Sequence, residues 1–476
     1  MSEKENNVNL TVVKALFGFL LPLVVIIAVV LSGNDIGIAL LLGLFVLVAY
    51  GLIIGFKWQF IQDALVEGGK SVLVAVIIMI FVGITIGVWM ISGTVPSLLY
   101  YGLKLLSPAV FLPVAFILCG LTSLATGTAW GTAGTMGVAL MGVAYGMGMP
   151  LPLAAGCIVS GAHIGDKLSP LSDTTLLASA STGTDLFDHI ISMLYTTVPA
   201  SIICLVAYTL MGLKYSKSAL DLGQIEVITQ GLAKSANINL LMLIPAILVI
   251  TLAVLRLPSL AVFGIGIVVS MLWAIIFQGA TPNDVLGVAV NGFSAQTGIA
   301  DVDSLLSRGG ILSMMSTVYV SILAGMFAGL LHKTRILVVL MNQVKRVIHS
   351  VGGLITTVTV ACLALMLGGG GQYATMTLPG VAFRESFDEF DVHSGVLSRT
   401  MEDTGTLVGS IIPWDVSAIF FASALGVPTL KLLPYALLPL LSPVLAVVQG
   451  YLGHGVYRKD DKMKFKPFYF RGKQSS

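Results

Sequence analysis

Charge is scarce in this sequence. Only 10% of its 476 residues are Asp, Glu, Lys or Arg, while 56% are hydrophobic; a soluble domain carries roughly 25% charged residues. A chain this long cannot clothe a globule with so few polar groups. That excludes an ordinary soluble protein and makes lipid the main solvent. Cysteine is nearly absent. Cys119, Cys157, Cys204 and Cys362 lie scattered in apolar stretches, lack metal-ligand spacing and read as small buried hydrophobes. Signatures of intramembrane enzymes are missing too, with neither HExxH nor a Gly-x-Ser-x-Gly elbow. Gly68-Gly69-Lys70-Ser71 imitates the end of a phosphate loop, but Ala64 holds the first glycine position and an apolar helix follows. No enzyme activity, no cofactor and no nucleic-acid partner are expected.

What abounds is uninterrupted apolar sequence. Ala15 to Leu31, Ile36 to Phe56, Val72 to Ile91 and Leu240 to Leu255 are almost free of charge. With its flanks, each approaches the roughly 20 residues that cross a bilayer as a helix. None alternates as a barrel strand would. The first run is too long for a signal peptide and is read as a span.

The expected fold is an all-α polytopic membrane protein built from two inverted-topology repeats. The first repeat covers 1–220, with spans near 12–31, 36–56 and 71–93, a re-entrant hairpin at 108–148, a broken helix at 151–182 and a span at 189–213. A loop at 221–236 leads to the second repeat, 237–457. Its spans fall near 240–256, 259–278 and 304–331, followed by a hairpin at 350–387, a broken helix at 393–425 and a span at 432–456. Three correspondences suggest the duplication. Glu67-Gly68-Gly69 lies over Arg308-Gly309-Gly310, Thr126–Thr132 over Gly370–Met376, and the region of Pro170 and Asp173 over that of Pro413 and Asp415. Five crossings per half invert the second half, as in many secondary transporters. A basic tail, 458–476, carries Arg458, Lys459, Lys462, Lys464, Lys466, Arg471 and Lys473. Basic flanks mark the cytoplasmic side, so both termini are expected there, and the tail suits acidic lipid headgroups.

Two spans carry groups that hydrocarbon rejects. The first reads Gly165-Asp166-Lys167-Leu168-Ser169-Pro170-Leu171-Ser172-Asp173-Thr174-Thr175. Pro170 has no amide hydrogen and clashes with the preceding turn, so the helix should break there. A break at membrane depth frees carbonyls and is tolerated only beside a polar cavity. Asp166, Ser169, Ser172, Asp173, Thr174 and Thr175 line it with hard oxygen donors suited to a small cation; Asp166 and Asp173 are the leading Na+ candidates. The second span brings Glu402, Asp403 and Asp415 around Gly405 and Pro413. Arg399, four residues before Asp403, offers a same-face ion pair as the bland alternative. The hairpin tips hold Thr126, Thr128 and Thr132 in one half, and Gln372, Tyr373 and Thr375 in the other. Each tip is expected to meet the broken helix of its own half. His163 is either a packed core histidine or a pH sensor.

A carboxylate in such a site can be neutralised by a proton or by a cation. If only occupied states cross, competition for one group yields exchange of Na+ for H+. An exchanger of organic acids and a channel remain as rivals. Paired broken helices suit alternating access better than a continuous pore.

The run from Gly165 to Thr175 resembles the signature of the NhaC-type sodium/proton antiporters, and Gly93-Thr94-Val95-Pro96 and Thr126–Thr132 are similar to stretches of that family. The resemblance implies inverted repeats, re-entrant hairpins and broken helices, a homodimer, and residence in the cytoplasmic membrane of a prokaryote. It assigns Asp166, Ser169, Ser172, Asp173 and Thr174 to the ion-binding region. The family also includes exchangers of malate for lactate coupled to H+ and Na+.

Overall fold

The computed structural model describes residues 8–471 apart from 9, 106, 217–228, 235, 256, 297–302, 304–305, 345–347 and 370. Most of the connecting loop at 221–236, Gly370 of the second hairpin tip and Lys473 of the tail lie outside the described residues. The described chain is helical, and its one β-bridge, His454 with Phe470, lies in the tail. Among the described residues, seven helices are long and apolar enough to cross a membrane, or eight if one sharply bent pair counts as a span.

The first half runs α1 (Val12–Leu31), α2 (Ile36–Ile53), α3 (Trp58–Ser71), α4 (Leu73–Ile91), α5 (Thr94–Leu105) and α6 (Pro108–Thr126). It turns at Gly127 into α7 (Ala129–Thr132), a π turn (Ala133–Gly137) and α8 (Val138–Gly146). The broken helix follows as α9 (Leu151–Leu168) and α10 (Asp173–Thr182), then α11 (Leu186–Ser216). After the loop the same order returns. It comprises α12 (Ile244–Val254), α13 (Ser259–Gln278), α14 (Pro282–Asn291), α15 (Ile311–Lys333), α16 (Ile336–Val344), α17 (Val351–Leu367) and α18 (Gly371–Glu389). A second interrupted helix comprises α19 (Ser394–Met401), a π turn (Glu402–Thr406), α20 (Leu407–Gly409) and α21 (Val416–Leu425). Then come α22 (Thr429–Leu432), at a bend of 84°, and α23 (Leu437–Leu452).

Sequence and structure differ in detail at 71–93. The span divides at Val72 into α4 and the preceding amphipathic α3, whose buried face is Ile61, Ala64 and Gly68. Gly68 lies against Gly325 and Gly329 of α15 so closely that an added Cβ would meet backbone at 2.2 Å. Small residues permit such approach where dispersion, not water exclusion, drives helix association. Leu-, Ile-, Val- and Phe-rich outer faces, with Phe17, Phe45, Ile202 and Leu210 among them, stay exposed, as a lipid-facing surface requires.

Two contacts position the site. First, α6 and α9 run in the same direction in close contact: Cys157 Sγ bonds Leu112 O, Gly161 abuts Phe116 O, and Gly165 abuts Leu124 N. The tip at Gly127 (φ +70°) then touches Leu171 inside the break of the α9–α10 helix. Second, residues 453–471 fold back on the helix ends. Tyr457 O accepts from His393 N, Tyr195 and Tyr457 share a hydroxyl bond of 2.9 Å, and Arg471 bonds the carbonyls of Phe390 and Asp391.

The α6–α9 contact can be tested by adding one methyl. At Gly165 a Cβ would lie 1.8 Å from Leu124 N, whereas at Gly287 it would meet nothing within 4 Å. Gly165→Ala is expected to destabilise by about 3 kcal/mol or more, from overpacking against backbone. Gly287→Ala should be neutral or stabilising by up to about 1 kcal/mol. Thermal unfolding in detergent micelles compares the two, and equal melting temperatures would refute the close contact.

Candidate functional site

The break in the first half spans Ser169 to Ser172, and its freed polar groups find partners locally. Ser169 N donates to Gly165 O, while Thr175 Oγ1 donates to the carbonyls of Asp166 and Lys167 at 3.2 Å each. In the second half the helix loosens into a π turn at Glu402–Thr406 and stops before Asp415, which caps α21 by accepting from Ser417 N at 2.9 Å. π turns recur at functional sites. Here the turn holds Glu402 and Asp403, both fully buried.

Two polar networks cross between the halves. In one, Ser172 Oγ donates to Asp166 Oδ1 (2.8 Å), Ser172 and Thr174 hydroxyls lie 3.0 Å apart, and Thr174 Oγ1 reaches Glu402 Oε1 (2.8 Å). Thr406 adds its own hydroxyl to Glu402 Oε1 at 3.0 Å. In the other, Lys167 forms a fully buried ion pair with Asp403, which also accepts from Thr196 at 2.9 Å. Burial of such a pair is offset only by close geometry and added hydrogen bonds.

Asp403 does not take Arg399 as its partner. A π turn begins at Glu402, shifting the register that an α-helix would have kept between positions 399 and 403. Arg399 Nη1 instead donates to Gly455 O (3.1 Å) and Ser192 O (3.4 Å).

The hairpins also exchange partners. The π turn and α8 of the first hairpin pack on α21, and Trp130 stacks on Phe420 at 4.7 Å. In turn α18 packs on α10, with Ser181 Oγ bonding Met376 O at 2.6 Å. Each arm therefore lies between the broken helix of its own half and that of the other. Gln372 Nε2 bonds Thr406 O at 3.2 Å. The tip hydroxyls, by contrast, turn back on their own backbones: Thr132 to Thr128 O, Thr375 to Gly371 O, and Thr126 to Ser123 O, while Thr128 caps α7. Asp173 stands exposed at the start of α10. His163 is buried, bonded to Val159 O at 2.8 Å and packed on Phe421.

A cavity of about 430 Å³ lies beside the second hairpin tip and the start of α21. Gln372, Tyr373, Trp130, Trp414 and Asp415 line it, and Glu67 with Lys333 guards its mouth in an ion pair of 2.8 Å. On the far side, backbone meets backbone. Gly310 N donates to Gly83 O at 2.7 Å, and a Cβ on Gly309 would stand 2.2 Å from Gly87 N.

Sequence reading missed Lys167 as Asp403's partner, Thr196 and Thr406 as carboxylate donors, and His189, whose Nδ1 meets Ser398 Oγ at 2.7 Å. The buried charge of Lys167 within an apolar helix was the available signal. Nothing in the sequence pairs it with a residue 236 positions away.

Interrupted helices carrying buried carboxylates, set among membrane-length apolar helices and beside a cavity, define a membrane transporter. The chain belongs to the Na+/H+ antiporter family, whose model matches residues 6–191 and 161–454. It is 38% identical to a malate-2H+/Na+-lactate antiporter of Bacillus subtilis, over 94% of this chain and 97% of that one. It is 36% identical to the Na+/H+ antiporter NhaC of Alkalihalophilus pseudofirmus, over 93% and 97%. To the arginine/ornithine antiporter ArcD of Halobacterium salinarum it is also 36% identical, over 91% and 90%.

Lys167→Met would leave Asp403 buried and unpaired, at an expected cost of about 3–5 kcal/mol. Adding Asp403→Asn should recover much of that loss, because it removes the stranded charge. Melting temperatures of the single and double variants measure the coupling; strictly additive losses would mean that the pair is not coupled.

Proposed function

We propose that this protein exchanges Na+ for H+ by alternating access, with Asp166 and Glu402 as the groups for which the two ions compete. The observation that carries this reading is a shortage of hydrogens. Three oxygen–oxygen gaps link Asp166 to Glu402 through Ser172 and Thr174, but two hydroxyls supply only two hydrogens. With both carboxylates ionised, one gap has lone pairs facing lone pairs. One added positive charge repairs it. A proton on either carboxyl fills the gap directly. A cation does so by turning hydroxyl lone pairs toward itself, with Glu402 Oε2, buried and without a partner, as a further ligand. Ser169 and the exposed Asp173 stand on the approach to this chain. Asp403 is neutralised by Lys167 and serves as a fixed counter-charge.

The recurring element order supports two repeats, and five crossings in each would invert one against the other. Lys57, Lys70, Lys333 and Arg335 make the side of the cavity mouth the cytoplasmic one. On that reading the conformation is open inward in the cytoplasmic membrane, and the glycine contacts among α4, α14 and α15 form the outer seal. A homodimer is part of the same family expectation. A second reading, malate–lactate exchange linked to Na+ and H+, is supported by the 38% identity to an antiporter of that kind.

In liposomes holding an internal pH dye, external Na+ should drive proton movement. Asp166→Asn and Glu402→Gln are expected to lower its rate at least about 100-fold, because each removes a competing charge. Asp173→Asn should retain most of the rate. A wild type silent to Na+ but active with malate and lactate would establish the second reading instead.

A further inference from the structure

The cavity of about 430 Å³ is many times the roughly 30 Å³ that one water occupies, so its size is not explained by a small inorganic cation. Its lining carries chemical information. Trp130, Trp414 and Tyr373 present three aromatic rings, and the Tyr373 side chain stands 62% exposed. Of the charged groups lining it, Glu67 and Lys333 neutralise each other at the mouth, where His332 is exposed. This leaves Asp415, only 3% exposed, as the uncompensated charge of the interior. Asp415 caps α21 through Oδ1. Aromatic faces attract cations through their quadrupole and are the usual lining of sites for organic ammonium ions. An organic anion would need cationic donors, and among the described lining residues these, Lys333 and His332, stand at the mouth.

We propose that the cavity is a binding site for an organic ammonium or guanidinium ion, with its charge toward Asp415 and its alkyl groups against Trp130, Trp414 and Tyr373. The site is distinct from the Asp166–Glu402 chain and stands whether or not that chain exchanges Na+ for H+.

Tetramethylammonium serves as the probe, because its charge is permanent and independent of pH. It is titrated as the chloride into the purified protein in detergent micelles, beside potassium chloride and potassium malate, with tryptophan fluorescence as the readout. Saturable change with tetramethylammonium alone is expected. Asp415→Asn keeps a capping acceptor for α21 and should weaken binding about tenfold or more. Tyr373→Leu, which removes an exposed ring, should weaken it about threefold. Three outcomes would overturn the proposal: a response no different from potassium chloride, saturation by malate with tetramethylammonium silent, or binding that both variants leave unchanged. Na+-driven proton movement, followed on the same preparations in liposomes, reports the exchange reading separately.

Discussion

The structure turns on a requirement of the bilayer: a helix that breaks within it must find partners for its freed polar groups inside the protein. Here the freed backbone of the first break is met locally, while polar side chains at the two breaks take their partners from the opposite half of the chain. Lys167 of the first broken helix pairs with Asp403 of the second, and Thr174 reaches Glu402. Neither break could persist alone, since each would leave a buried charge without its partner. The two interrupted helices are therefore mutually dependent, and the buried carboxylates of Asp166, Glu402 and Asp403 lie where they meet. Around them, the glycine contacts of α6 with α9 and of α3 with α15 bring backbones close enough to enclose that meeting point.

Much of this was legible in the sequence. The scarcity of charge required a membrane fold. Pro170 and Gly165, set among hydroxyls, marked a break, and the structure interrupts the helix from Ser169 to Ser172. Glu402 and Asp403 stood out because apolar helices seldom carry adjacent acids. In each case a local cost, such as a missing amide hydrogen or a charge in hydrocarbon, points to its own place in the chain.

What was hidden is non-local or depends on register. The hairpins were expected against their own broken helices, and they touch those of the other half as well. Packing between the two halves of the chain leaves no trace in spacing. Arg399 and Asp403 would share a face on a regular α-helix, but the π turn at Glu402 alters that face, and π turns have no sequence rule comparable to proline's. Asp173 matches the pattern of the motif as well as Asp166 does. The break nevertheless leaves it exposed at the head of α10, while Asp166 is drawn inward to Ser172. Residue type fixes what a group can do, and the path of the backbone decides how far each member of a motif is taken from water.

The folded tail has a consequence for how the molecule is made. The guanidinium of Arg399 finds one of its two carbonyl partners at Gly455, which is synthesised 56 residues later. Tyr195, from the first half, waits longer still for Tyr457 and Lys466. Domains that assemble during translation close as their own segments emerge. This one cannot finish in that order, because the shorter of the two carbonyl contacts of Arg399 is missing until nearly the whole chain has left the ribosome. Packing around Arg399 is thereby tied to completion of the polypeptide, and a product truncated before residue 455 would keep only the 3.4 Å contact of its guanidinium with Ser192 O.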